Sequence, residues 1–213
     1  MKIISVNIGE PKTYPWRGGT RSSIVKQPQK EAVVLEAEGF VGNAQADLKN
    51  HGGADKAVLL LPAKNYALFG LESTYGFLGE NLTLQDLDET QVAVGDRLKV
   101  GEVLLEVTQP RSPCWKLSAL TDNPHFTRQY AESGRVGFYC RVLQPGKVVS
   151  GDTIELVPSD FSPRVDIQTL FLAKYAPKAD EQWQVLQVIV QHPALSNAWR
   201  EAIQKQLAQQ EPS

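Results

Sequence analysis

VAVGDRLKVGEVLLEV, residues Val92–Val107, is the stretch on which the fold reading rests. Leu98 and Val100 alternate with Arg97 and Lys99, then Gly101 interrupts, and Val103, Leu105 and Val107 resume the two-residue period of a half-buried strand. The pair Gly95-Asp96 opens the stretch, and VVSGDTIELV (Val148–Val157) repeats the arrangement with Gly151-Asp152. In both, glycine supplies the positive φ of a tight turn, aspartate accepts backbone hydrogen bonds beside it, and a strand follows. Asp96 and Asp152 are therefore read as structural groups.

Working outward, KIISVNI (2–8), EAVVLEAEGFVG (31–42), KAVLLLP (56–62) and GFYCRVL (137–143) are further short apolar runs bounded by turn residues. They are too many and too closely spaced for a βαβ alternation, which places about a dozen helical residues between strands. The chain is accordingly predicted to be mainly β, a closed or nearly closed barrel over residues 1–158 with small peripheral helices. PAKNYALFGLE (62–72) is the best such helix, with Pro62 at its start.

Beyond Val157 the character changes. PSDFSPR (158–164) reads as a hinge, and residues 163–213 carry three helical patterns. One stripe is Ile167, Leu170, Phe171 and Tyr175, a second Trp183, Leu186 and Ile189 or Val190, and a third Trp199, Ile203 and Leu207. Asp166, Asp180 and Ser196 are the expected N-caps. A C-terminal three-helix subdomain results. Its last helix offers only Arg200 and Lys205 against Glu201, too little for a DNA-reading surface.

The 213 residues suffice for a substantial core, and a formal charge of -2 supplies no general field for nucleic acid or an anionic membrane. The N-terminus lacks the apolar core of a signal peptide, and no stretch reaches the ~18 apolar residues of a membrane span, so a cytoplasmic protein is expected. Cys114 and Cys140 are expected to be thiols, with Cys140 a buried filler in its strand.

Three histidines and two cysteines without close ligand spacing argue against structural zinc, and neither a GxSxG elbow nor a Walker or dinucleotide glycine pattern occurs. QPRSPCWKL (109–117) is different. Pro110 and Pro113 stiffen the chain while Arg111 and Lys116 bring cations near Cys114, conditions that favour the thiolate that binds soft metals. Those features alone also allow Cys114 to be packing at the base of the barrel. Other candidates lie in loops: Asp47, His51 and Lys56 in DLKNHGGADKAV (47–58), Glu80 and Asn81 in GENLT (79–83), and Arg135 ahead of the strand carrying Tyr139.

Taken in order, HGGADKAV, GENLT, GD, QPRSPCWKL, SGRVGFYCRVL and GD resemble the MOSC domain family, and more closely its stand-alone YiiM-like branch with a three-helix extension. The resemblance implies a MOSC-type β-barrel that binds the molybdenum cofactor, molybdopterin, with Cys114 as the metal ligand. It implies a labile cofactor, an oxidoreductase that reduces N-hydroxylated compounds such as hydroxylamino-purines, and electrons from a partner flavin or iron-sulfur protein. On this frame Lys56, Asn81, Arg111, Lys116 and Arg135 are the expected cofactor-binding residues, and His51 or Tyr139 the expected hydrogen-bonding or proton-relay group. No pyridoxal-phosphate domain precedes the barrel, which argues against a complete sulfurase. Asn43 and Asn50 depart from the residues common in relatives, whereas Asp47 fits the pattern. The competing reading is a non-catalytic cofactor or sulfur carrier or sensor, and a homodimer is compatible with either.

Overall fold

The computed structural model describes residues 1–44, 52–175 and 179–209. Thirteen strands occur among them: β1 (Lys2–Ile8), β2 (Lys12–Tyr14), β3 (Thr20–Ser22), β4 (Gln27–Pro28), β5 (Val33–Glu36), β6 (Gly39–Phe40), β7 (Val58–Pro62), β8 (Leu82–Gln85), β9 (Arg97–Val100), β10 (Val103–Pro110), β11 (Phe138–Gln144), β12 (Gly146–Val148) and β13 (Glu155–Val157). The α-helices are α1 (Lys64–Leu68), α2 (Lys116–Thr121), α3 (Phe126–Glu132), α4 (Ile167–Tyr175), α5 (Asp180–Ile189) and α6 (Asn197–Ala208). None is long and apolar enough to cross a membrane.

Eight strands form one curled sheet in the order β13-β9-β10-β11-β7-β8-β1-β4. The longest pairing, β10 with β11, places Val107 opposite Cys140 and Gln109 opposite Tyr139. One pair is parallel: β7 and β8 align Leu60 with Leu82, and α1 lies in the connection between them. All five residues of β7 are buried, as a strand covered on both faces requires. Pro62 closes β7 instead of opening a helix, so α1 begins later than the sequence predicts.

The sheet is a half-barrel, which corrects the expectation of a closed one. Its edges are too short to zip together: β13 has three residues, and β4 has two and ends on Pro28, which lacks an N–H to donate. The start of β1 instead meets the loop before β13. Ile3 N–H donates to Asp152 O (2.9 Å), Gly151 N–H donates to Ile3 O (2.8 Å), and a single bridge joins Lys2 to Thr153.

Both Gly-Asp turns form as read. Gly95 and Gly151 have φ of 82° and 102°, Asp96 accepts from Ala93 N–H (2.8 Å), and Asp152 accepts from Val149 N–H (2.9 Å). Asp96, fully buried, also accepts from Ser159 N–H (2.9 Å) and pairs with Arg164, so it fastens the 158–164 hinge to the sheet.

In the C-terminal helical region, Asp166 caps α4 by accepting from Thr169 N–H (2.9 Å), and Ser196 caps α6 by accepting from Trp199 N–H (3.2 Å). Asp180 is the first residue of α5 and not its cap. Ile167, Leu170, Phe171, Leu186, Ile189, Trp199 and Ile203 are buried in one hydrophobic cluster with the strands. Tyr175 leaves its stripe: at the last turn of α4 it is half exposed and stacks on Phe171.

Cys140 has no exposed surface, and burial raises its thiol well above the ordinary range. Cys140→Ser buries a polar hydroxyl in place of the thiol, and we expect it to cost about 1 to 3 kcal/mol, read from the thermal midpoint, with the pocket unaffected.

Candidate functional site

β10 ends at Pro110, and the loop to α2 carries Arg111, Ser112, Pro113, Cys114 and Trp115. The loop is fastened at both ends. Arg111 N–H donates to Gly137 O (3.0 Å), while Cys114 O accepts from Leu117 N–H (3.0 Å) and from Thr127 Oγ1 (3.1 Å). Cys114 is thereby held in place, partly buried, as a free thiol.

Two lobes of one cleft meet at this residue, sharing Lys56, Ser112, Cys114, Lys116 and Tyr139. The inner lobe holds about 80 Å³ of cavity space and runs to Lys26, Asn81 and Arg111. Lys26 and Arg111 are each 6% exposed. Arg111 sits 5.7 Å from the Tyr130 ring, and its NH1 has no hydrogen-bond partner among the described residues. Burial pulls the Lys26 ammonium down to about 8, opposed by Glu80 and reinforced by Arg111.

Lys26 reaches this position because its backbone runs against a glycine. Gly76 has φ of 88°, and a Cβ there would lie 2.8 Å from Lys26 O and 2.9 Å from Asn7 Cβ. Lys26 N–H donates to Gly76 O (2.9 Å). Close by, Glu80 is fully buried and accepts from Tyr66 OH (2.8 Å), Gly76 N–H (2.7 Å) and Thr83 Oγ1 (3.0 Å). Burial raises the Glu80 carboxyl, and these donors offset part of that rise.

Of the predicted residues, Cys114, Lys56, Asn81, Arg111, Lys116 and Tyr139 come together around the cleft. Lys56 ends a one-turn helix, Ala54–Lys56, whose Asp55 pairs with Arg141 (2.7 Å) and accepts from Thr108 Oγ1 (2.6 Å, at its carbonyl). Tyr139 projects from β11, where burial pushes its phenol up and the Arg111 charge opposes that. Asn81 lines the wall with its amide already engaged: Oδ1 accepts from Leu59 N–H (3.2 Å) and Nδ2 donates to Asn7 O (3.3 Å). It joins β1, β7 and β8.

Arg135 is not at the cleft. It faces Asp88 (3.4 Å) and Glu89 (3.7 Å). His51 and Asp47 lie outside the described residues. Sequence reading missed Lys26, a lone lysine in a polar stretch with nothing local to announce its burial, and also Gln109, Lys174 and Trp199, which line the outer lobe.

No group of three or more His, Cys, Asp or Glu among the described residues could hold a metal ion. The cleft instead pairs the partly buried Cys114 with a cationic end formed by Lys26 and Arg111, a charge that suits an oxygen-rich anionic group.

Residues 47–155 match the MOSC domain. The chain is 35% identical over 208 residues to YflK of Bacillus subtilis, covering 95% of this chain and 93% of that protein. The chain belongs to the MOSC domain family. The crystal structure of YiiM from Geobacillus stearothermophilus superposes with a TM-score of 0.80 at 32% identity, covering 97% of this MOSC protein and 98% of that chain. A reductase of Gibberella moniliformis is 33% identical over 163 residues, which are 73% of this chain and 29% of that much longer protein. MOSC membership carries a general role linked to molybdenum-cofactor redox chemistry, and the cationic cleft around Cys114 lies mainly on elements within the matched segment.

Proposed function

We propose that this MOSC protein is a molybdenum-cofactor-dependent reductase of N-hydroxylated compounds such as hydroxylamino-purines, drawing electrons from a partner flavin or iron-sulfur protein. The observation that carries the reading is the partly buried Cys114, where a buried cationic lobe holding Lys26 and Arg111 meets a second, open lobe. Arg111, Lys26, Lys56 and Lys116 hold the anionic oxygens of the cofactor, and Cys114 supplies the thiolate ligand. When bound, the cofactor supplies two electrons, which with two protons convert N–OH to N–H and water. Tyr139, its phenol protonated at neutral pH and lining both lobes, is placed to donate a hydrogen bond to the reacting group. His51 remains a candidate for proton relay by the family pattern alone.

The test is anaerobic reconstitution followed by assay of amine formation from an N-hydroxylated base with an artificial electron donor. Cofactor binding without amine would move the protein to the carrier class. A separate measurement probes the cationic end without the cofactor. Inorganic pyrophosphate is expected to bind the unloaded protein and to weaken as pH rises through about 8, because Lys26 then sheds the proton that attracts the anion. Arg111→Ala is expected to weaken that binding about tenfold or more, and Lys26→Gln to flatten its pH dependence.

A further inference from the structure

Glu80 has no exposed surface and lines neither lobe of the cleft, yet it stands between Gly79 and Asn81, which both line the inner one. It is tied to the cations from behind. Glu80 Oε1 accepts from Gly76 N–H (2.7 Å), and Gly76 O in turn accepts from Lys26 N–H (2.9 Å) and Gly79 N–H (3.1 Å). Tyr66 OH, which donates to the same carboxylate oxygen (2.8 Å), accepts from Leu78 N–H (3.3 Å). One acid thus anchors the whole turn 76–79. At one end of that turn a Cβ on Gly76 would lie 2.8 Å from Lys26 O, and at the other a Cβ on Gly79 would lie 3.7 Å from Arg111 Nη2. The two cations flank it.

The charges follow the same layout. Burial and the Arg111 charge both press Lys26 to give up its proton, whereas the Glu80 carboxylate favours the charged form of Lys26 and of Arg111 alike. Tyr130, Tyr139 and Cys114 also act on Arg111, but burial holds both phenols protonated, so they bring no counter-charge. Gly76 N–H, Tyr66 OH and Thr83 Oγ1 (3.0 Å) converge on one oxygen of Glu80, and such donors favour the ionised carboxyl against the cost of its burial.

We propose that Glu80 is the positioning residue of the cationic lobe: through Gly76 it places Lys26, and as a fixed negative charge behind Lys26 and Arg111 it sets the pH range in which the lobe takes an anion. The proposal rests on the reductase reading only for which anion fills the lobe, because anion binding is measurable without cofactor.

The experiment titrates inorganic sulfate, whose charge is constant across the neutral and alkaline range, into unloaded protein by calorimetry. Wild-type affinity is expected to fall as pH rises through about 8, where Lys26 sheds its proton. Glu80→Gln keeps an acceptor oxygen and removes the charge, so the fall is expected about one pH unit or more lower, with affinity on its acid side at least that of wild type. Glu80→Asp keeps the charge but is too short to reach Gly76 N–H, and it is expected to leave the fall in place while weakening binding several-fold. The double variant Lys26→Gln, Glu80→Gln is expected to show no fall, which puts the shift on Lys26. Wild-type affinity that stays level through about pH 8 overturns the proposal. So does a fall in Glu80→Gln at the wild-type pH, including weaker binding at every pH without a shift, the mark of a merely structural role. Wild type and Glu80→Asp decide the matter where Glu80→Gln does not fold. If sulfate binding responds as expected but loaded protein forms no amine, the reductase reading fails and the role of Glu80 stands. If loaded protein forms amine while the fall in Glu80→Gln stays at the wild-type pH, the role fails and the reading stands.

Discussion

Cys114→Ser, loaded with cofactor and assayed beside wild type, is expected to lose turnover of N-hydroxylated substrates roughly a thousandfold, equivalent to about 4 kcal/mol of barrier. A serine hydroxyl stays protonated at neutral pH, so it does not supply the anionic sulfur donor that the proposed chemistry uses. The change should act on chemistry alone. The bonds that hold the Cys114 loop run through the residue's backbone atoms, so the thermal midpoint is expected to hold. The cationic end is untouched, so pyrophosphate binding is expected to hold as well. Wild-type turnover in Cys114→Ser at equal molybdenum content would remove the thiolate from the proposed chemistry.

The largest expected stability effect lies at Asp96, a residue with no place in the cleft. Asp96→Ala strips a fully buried carboxylate from Ala93 N–H, Ser159 N–H and the Arg164 guanidinium together. Leaving two backbone donors and a cation without their partner costs about 3 to 5 kcal/mol, a fall in thermal midpoint on the order of 10 °C for a chain of this size. Asp96→Asn retains one acceptor oxygen and is expected to lose less. Pyrophosphate affinity of the folded protein should not change in either variant. A loss within about 0.5 kcal/mol in Asp96→Ala would mean that the hinge is held by packing instead.

What was legible in the sequence follows how local the determining physics is. The Gly95-Asp96 and Gly151-Asp152 turns need only a positive φ and an acceptor three residues from its donor, and both were readable. The helical stripes of α4 and α6 were readable for the same reason, up to the last turn of α4, where Tyr175 runs past the surface it was expected to cover. Strand partners are not encoded by period, so the parallel β7–β8 pair and the open edges of the sheet were out of reach. The site shows the same division. Cys114 is flanked in sequence by Arg111 and Lys116, and that proximity survives folding. Lys26 enters the cleft only because Gly76 admits its backbone, a contact across 50 residues. Arg135 shows the limit of such proximity: a position ahead of a strand does not say which way the side chain turns, and here it turns to Asp88 and Glu89.

The placement of β1 has a consequence for how the chain is made. Its buried residues Ile3 and Val6 find their partner in β8, and its first residues meet the loop at 151–154. At about 5–20 residues per second, the ribosome delivers that loop roughly 8 to 30 s after β1 emerges. β4 and β8 pair with β1 earlier in that interval, so what stays open until its end is the edge at Lys2 and Ile3, whose backbone groups wait for the segment at 151–154.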